Sequence, residues 1–193
     1  MAATAIVLDL DGTIWDSYPL YARALGKQTG VSVPDTERAL RHGQNVIRLL
    51  EAAGLSRRRF AGVCAEMATL HVLYPGVLES LKRLSDVRMP LGIVTSLPND
   101  IAGPLLEALE LDSIFGEIRF AARKPNATPI YEVLRALSIE PNHDAYYVGD
   151  LERDAQTAKN ADVSFAWASY GYGEREPAYA SVCLKNGHML SAL

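Results

Sequence analysis

The sequence predicts an α/β fold: a parallel sheet flanked by helices, with a small all-helical cap inserted after the first strand. Three observations predict it. Residues 4–10 form an apolar, β-branched run without alternation, as expected of a strand covered on both faces. Residues 16–74 carry helix signals and no strand candidate. From Pro75-Gly76 onward, short apolar runs alternate with amphipathic segments, the pattern of strand–helix–strand crossovers. Residues 1–15 and 75–193 are therefore read as one core domain of Rossmann-like form, and residues 16–74 as the cap.

Within the cap, Tyr18-Pro-Leu-Tyr opens a first helix. Pro34-Asp-Thr-Glu places proline and acids in a first helical turn. Residues 46–54 close on Gly54, a C-terminal capping signal. Residues 56–73 read as one longer helix with Phe60, Val63, Cys64 and Met67 on its apolar stripe. In the core, strands are expected at 91–96, 117–121, 145–150 and 163–168, with a weaker one near 181–184. Helices are expected at 77–85, 101–109, 128–137 and 153–160, and a final turn near Met189. Pro129 suits the first turn of its helix.

Composition narrows the class. The chain has 193 residues, 49% hydrophobic and 22% charged, with a formal charge of −4. That balance suits a globular protein and gives no basic footprint for nucleic acid. Cys64 and Cys183 are the only cysteines and form no metal-ligand cluster or disulfide framework. They read as thiols kept in a reducing cytoplasm. No apolar run approaches the ~20 residues of a membrane span, and no basic leader precedes the first strand. A small phosphorylated metabolite is the expected partner, bound by a monomer or homodimer without nucleic acid or membrane.

The chemistry lies where the expected strands end. Ligands of open parallel sheets bind at the carboxyl ends of the strands. Those ends carry Asp9 and Asp11, Thr95 and Ser96, and Gly149-Asp150, and Lys124 follows the short third strand. Asp150 and Asp154 are one helical turn apart. So many carboxylates in one place need a cation, and hard oxygen donors suit Mg²⁺. Lys124 adds a fixed positive charge, and Thr95, Ser96 and the turn after Asp11 offer donors to an anion such as a phosphoryl group. One carboxylate can serve as nucleophile and form an acyl phosphate. Another can protonate the leaving oxygen and then activate water. Asp9 and Asp11 suit these roles, and spacing alone does not assign which takes which. Read singly, each signal has a plainer meaning: Asp-x-Asp-Gly is common in turns, Lys124 could be a solvated loop residue, and Asp150 could be a helix N-cap.

Jointly the motifs resemble the haloacid dehalogenase-like superfamily of aspartate-nucleophile hydrolases, in the branch with a helical cap after the first motif. Asp9-Leu-Asp11-Gly-Thr13 is similar to its first motif, Thr95-Ser96 to the second, Lys124-Pro125 to the third, and Gly149-Asp150-Leu-Glu-Arg-Asp154 to the fourth. The resemblance implies that Asp9 is the nucleophile and Asp11 the general acid/base. It implies that Thr95 binds the phosphoryl group and that Lys124 holds it together with Asp9. Mg²⁺ would be held by the Asp9 carboxylate, the Asp11 backbone carbonyl and Asp150, with Asp154 in support. Asp11 argues against the dehalogenase branch, which lacks the second acid. The window from Trp15 to Gly30 holds no histidine, which disfavours the sugar-phosphate mutases. Asp16-Ser17, Thr128-Pro129 and Tyr170-Gly-Tyr-Gly173 resemble the phosphoglycolate phosphatases. Asp162 stands where the family usually closes a helix with glycine, a left-handed position that Asp tolerates.

The expected activity is therefore a Mg²⁺-dependent phosphatase working through an aspartyl-phosphate, with phosphoglycolate as the first-choice substrate. The alternatives are a phosphotransferase or mutase on a sugar phosphate, and a non-catalytic relative that binds a phosphorylated ligand or a protein. Substrate choice is expected in the cap. There Arg41, in the loop 41–45, could meet a carboxylate bidentately, or the loop could be an ordinary polar surface. Trp15 is expected at the core–cap junction or as a wall of the substrate pocket.

Overall fold

A computed structural model describes residues 3–193 and divides them into two compact units. The larger contains six parallel strands in one sheet: β1 (Ala5–Leu8), β2 (Leu91–Val94), β3 (Glu117–Arg119), β4 (Ala145–Gly149), β5 (Ser164–Ala168) and β6 (Ala180–Leu184). Their spatial order is β3-β2-β1-β4-β5-β6. The sheet thus grows outward from β1 in one direction and then, after a return, in the other. The point of reversal lies between β1 and β4, where the loops leaving adjacent strands diverge and a crevice opens.

The burial pattern explains why the central strands read as apolar runs. Every residue of β1 and β2 is buried, and β4 is buried apart from Tyr146. The edge strands β3 and β6 are only half-buried, which is why their sequence signal is weaker. Register runs Ile6↔Leu91 to Leu8↔Ile93 on one side of β1 and Ala5↔Ala145 to Leu8↔Val148 on the other. Three core helices follow their strands: α5 (Val77–Asp86), α7 (Thr128–Ala136) and α8 (Glu152–Asn160). The α7 face of Ile130, Val133 and Leu134 joins Val7, Val94, Tyr147 and Phe165 in one buried cluster. A 3₁₀ segment, Gly187–Ala192, packs on α5, where the Ser80 hydroxyl donates to the Gly187 carbonyl at 2.8 Å.

The smaller unit holds α1 (Ser17–Thr29), α2 (Val33–Arg41), α3 (Val46–Ala52) and α4 (Arg57–Met67), and also α6 (Asn99–Ala108). Ser32, Asn45 and Ser56 accept from backbone N–H groups at the starts of α2, α3 and α4, as N-caps do. Two local expectations change. The segment expected as one helix over 56–73 ends at Met67 and gives way to a 3₁₀ turn at Leu70–Val72. Its buried stripe is Phe60, Ala61 and Cys64, with Val63 and Met67 only half-buried. And α6, which follows a core strand in sequence, packs on α4 of the helical unit. Its apolar face (Ile101, Ala102, Leu105, Leu106) identifies a buried side but not which element covers it. Asp162 does take the left-handed conformation expected of it, at φ 55°.

Phe165 is fully buried in the centre of the larger unit's core. Replacing Phe165 by Ala should lower unfolding free energy by about 3–5 kcal/mol, read from urea denaturation. A loss below about 1 kcal/mol would mean that this layer is not close-packed.

Candidate active site

The sheet delivers its polar residues to one edge by ending early. Strands β1 and β2 stop at Leu8 and Val94, short of the extended runs read from the sequence. The residues that follow turn out of the ladder. Asp9 still donates its N–H to Val148 of β4 at 2.9 Å, while Thr95 donates to Arg119 of β3 at 3.0 Å. Beyond them the chain folds on itself. The Leu10 carbonyl accepts from Thr13, Ile14 and Trp15 at 3.1, 2.9 and 3.2 Å. The Thr95 hydroxyl accepts from the Leu97 N–H at 3.1 Å, which leaves its own proton to donate elsewhere. Asp9, Thr95 and Asp150 are all buried, and Ser96 is exposed.

Lys124 sits inside this edge. Its side chain is 1% exposed, and its ammonium lies 2.8 Å from Asp9 Oδ1 and 2.7 Å from Asp154 Oδ1. The Tyr147 ring lies beneath it, with the ammonium 5.4 Å from the centroid. Asp154 is fully engaged on both oxygens, because Oδ2 accepts the Leu151 N–H at 3.0 Å. That contact also corrects the capping expectation. The start of α8 is closed by Asp154 reaching back to Leu151, and Asp150 is released for other use.

Asp150 is held by a loop that sequence reading singled out only as a likeness. Its Oδ2 accepts the Tyr172 N–H at 2.7 Å, and its carbonyl accepts from the Trp167 indole at 3.0 Å. Gly171 and Gly173 make the wrap possible. A Cβ on Gly171 would lie 2.1 Å from the Gly12 carbonyl, and one on Gly173 would lie 2.0 Å from the Asp150 carbonyl. Two glycines bracketing a tyrosine after a strand end were the available signal, but only the fold shows that they close on Asp150.

Among these acids one buried oxygen is left unsatisfied. Asp150 Oδ1 is buried and makes no hydrogen bond. Asp9, Asp150 and Asp154 each present a carboxylate oxygen within 4.8 Å of the others. Three buried carboxylates against one ammonium leave a surplus of two negative charges, which a divalent cation cancels. The donor set therefore fits such an ion. Asp9 and Asp150 have oxygens to offer it, while Asp154 is committed to Lys124 and the backbone.

The electrostatics agree. Burial pushes the Asp150 carboxyl up to about 8, helped by the negative charges of Asp154 and Asp9. Burial also pushes Asp9 up to about 6, against the pull of Lys124. For Lys124 burial acts downward, yet Asp154 and Asp9 outweigh it and hold the ammonium above the usual lysine value.

The remaining expected site residues divide. Asp11 Oδ1 accepts from the Trp15 indole N–H at 2.7 Å. Trp15, expected at the core–cap junction or as a pocket wall, is 1% exposed and its indole faces Asp11. Arg41 belongs to the helical unit. Its guanidinium is paired with Glu37 at 2.8 and 3.1 Å, lies 3.9 Å from Asp16 and sits over the Tyr18 ring at 5.9 Å. Its fork is thus occupied within its own unit.

Residues 6–168 match the family model described as haloacid dehalogenase-like hydrolase. The chain belongs to the haloacid dehalogenase-like hydrolases. It is 34% identical to a phosphoglycolate phosphatase of Rhodospirillum rubrum, over 90% of this chain and 82% of that protein. It is 30% identical to a phosphoglycolate phosphatase of Mesorhizobium japonicum, over 91% and 86%. Among solved structures it shares the fold of a HAD-superfamily hydrolase from Geobacter sulfurreducens, at TM-score 0.72 and 22% identity, covering 98% of this chain and 95% of that one. It also shares the fold of CbbY from Rhodobacter sphaeroides, solved in complex with phosphate, at TM-score 0.73 and 20% identity over 97% and 96%. In this haloacid dehalogenase-like hydrolase no helix among the described residues is long and apolar enough to cross a membrane.

The raised carboxyls give a signed prediction. In the folded protein Asp150 and Asp9 hold protons at pH values where the unfolded chain, with Asp near 3.8, has released them. They therefore add stability at low pH that is lost as pH rises through about 6 and about 8. In chelator, Asp150→Asn should raise Tm above that of the unsubstituted protein at pH 8, and the gap should close towards pH 4. A pH-independent gap in thermal denaturation would contradict the assignment.

Proposed function

We propose that the protein is a Mg²⁺-dependent phosphatase that hydrolyses a small phosphomonoester through a phosphorylated Asp9, with phosphoglycolate as its substrate. The observation that carries this reading is the buried arrangement of Asp9, Lys124 and Asp154 beside the orphaned Oδ1 of Asp150. Its excess of two negative charges, raised carboxyls and hard oxygen donors suit Mg²⁺, which keeps waters and takes one or two carboxylates. Asp9, Asp150 and the Asp11 carbonyl would hold the ion, with Asp154 acting through Lys124. When bound, Mg²⁺ draws charge from the phosphoryl oxygens and cancels the repulsion between the phosphate and the carboxylates.

The chain's own residues then divide the work. Asp9 Oδ attacks phosphorus, and the bond from phosphorus to the leaving oxygen breaks. The Asp11 carboxyl gives its proton to that oxygen, so that an alcohol departs. Thr95 donates its hydroxyl proton to a phosphoryl oxygen, and Lys124 holds Asp9 in line while balancing charge on the group. In the second half Asp11, now a carboxylate, takes a proton from water. The water oxygen bonds to phosphorus, the bond to Asp9 breaks, and phosphate leaves with Asp9 restored. Burial of Asp9 and Lys124 keeps bulk water from screening the contact between them.

The named phosphoglycolate phosphatases of similar sequence support the substrate. On this reading the helices of residues 16–74 select it. The salt links of Arg41 to Glu37 and Asp16 mean that Arg41 would have to exchange partners to meet a substrate carboxylate.

Phosphate release from 2-phosphoglycolate should require Mg²⁺ and fall by at least about 10³-fold in Asp9→Asn, the scale on which removal of a nucleophile acts. Release that persists in chelator, or in Asp9→Asn, would overturn the reading. Within a panel of phosphorylated metabolites, kcat/KM should be highest for 2-phosphoglycolate, and a sugar phosphate acceptor should not outcompete water.

A further inference from the structure

We infer that Trp15 is a positioning residue for the acid–base step: its indole N–H fixes the orientation of the Asp11 carboxyl. The inference rests on the phosphatase reading and on Asp11 as its acid, but the device itself is visible in the geometry.

Trp15 follows Asp11 by four residues across the turn that Gly12 makes at φ 81°. The turn is pinned from several directions. Gly12 donates its N–H to the Trp15 carbonyl at 3.0 Å, and Trp15 donates to Leu10 at 3.2 Å. Trp15 forms a parallel bridge with Asp11 and an antiparallel one with Leu73, and Tyr74 donates to Ile14 at 3.1 Å. The Tyr170 hydroxyl donates to the Thr13 carbonyl at 3.0 Å, and its ring lies 4.9 Å from that of Tyr74. A Cβ on Gly12 would come within 2.2 Å of Asp150 Oδ2, so only glycine lets the turn pack this closely on Asp150. The indole is thereby set in a rigid frame, and at 1% exposure no solvent competes for its N–H.

A buried indole N–H is a donor only and needs an acceptor. Here it has Asp11 Oδ1 at 2.7 Å. The consequence for Asp11 is directional. Rotation about the carboxyl bond would break the indole contact. Asp11 is thus presented to the leaving oxygen with Oδ1 tethered to a rigid neighbour, before and after proton transfer. A side chain fixed by its neighbour gains effective concentration at the reacting atom. Trp15 touches no substrate in this role.

The test uses the full chain and separates this effect from general damage through the leaving group. An alkoxide needs a proton to depart, whereas 4-nitrophenolate leaves nearly unaided. The ratio kcat/KM reports events up to departure of the alcohol, before water attacks. Trp15→Phe should lower kcat/KM for 2-phosphoglycolate by about tenfold, a fraction of the effect of general acid catalysis, and leave that for 4-nitrophenyl phosphate nearly unchanged. In an Asp11→Asn background the same substitution should have no further effect on the contrast between the two esters. Equal losses on both esters, or no loss on the alkyl ester, would overturn the inference. If Trp15→Phe folds poorly, incorporation of benzothienylalanine at position 15 keeps the ring shape and removes only the N–H, with the same outcomes. A spectroscopic readout stands apart from activity. Of the two tryptophan indole signals in a ¹⁵N–¹H spectrum, the one absent from Trp15→Phe should move upfield in Asp11→Asn. An unmoved signal would reject the contact even if the protein proved inactive on every phosphate ester, an inactivity that would instead count against the phosphatase reading.

Discussion

The ammonium of Lys124, buried between Asp9 and Asp154, is the interaction on which the rest of the edge depends. Without it three carboxylates would be packed into a volume that excludes water, at a cost of several kcal/mol per ion. With it, Asp9 is oriented by a fixed partner and Asp154 is spent on holding that partner. Asp154 in turn closes the first turn of α8 through the Leu151 N–H, so the helix that follows β4 and the lysine that follows β3 are tied to one carboxylate. The interaction neutralises one charge of three and leaves a defined remainder, which makes the place suited to a divalent cation and a phosphoryl group together.

The sheet topology explains how residues from four separate strand ends reach that ammonium. Because the order reverses between β1 and β4, the segments leaving β1, β2 and β4 open around one crevice. Parallel strands that are buried on both faces cannot carry polar side chains within their length. Their chemistry is confined to the first residues beyond the last paired position, and Asp9, Thr95 and Asp150 stand there. The two glycines of the loop 170–173 complete the enclosure by letting backbone approach where a side chain would collide.

Much of this was legible in the sequence, for a physical reason. Runs such as Ala5–Leu8 and Leu91–Val94 are apolar because both faces are covered, and the abrupt polar residues after them mark where the sheet stops. Three things were not legible. Helix α6 has a clear apolar face, but periodicity names no partner, and it packs on α4 of the helical unit. The helix expected over 56–73 stops at Met67, because Leu73 must return to pair with Trp15. Trp15 itself read as lying at the core–cap junction or as a pocket wall, because a large aromatic beside a motif has no internal sign of its direction. Its indole instead turns back four residues onto Asp11. Arg41 shows the same limit: a guanidinium in a polar loop suggests a carboxylate partner, and the partner it has is Glu37 on its own helix.

The central claim is that this buried arrangement makes Asp9 the atom donor to phosphorus. Trapping tests it most directly. Enzyme quenched in acid during turnover of a phosphate ester, then reduced with borohydride, should carry homoserine in place of Asp9 in a peptide map, because an acyl phosphate is reduced where a free carboxylate is not. Conversion at another carboxylate, or phosphate release with Asp9 unconverted throughout, would contradict the account.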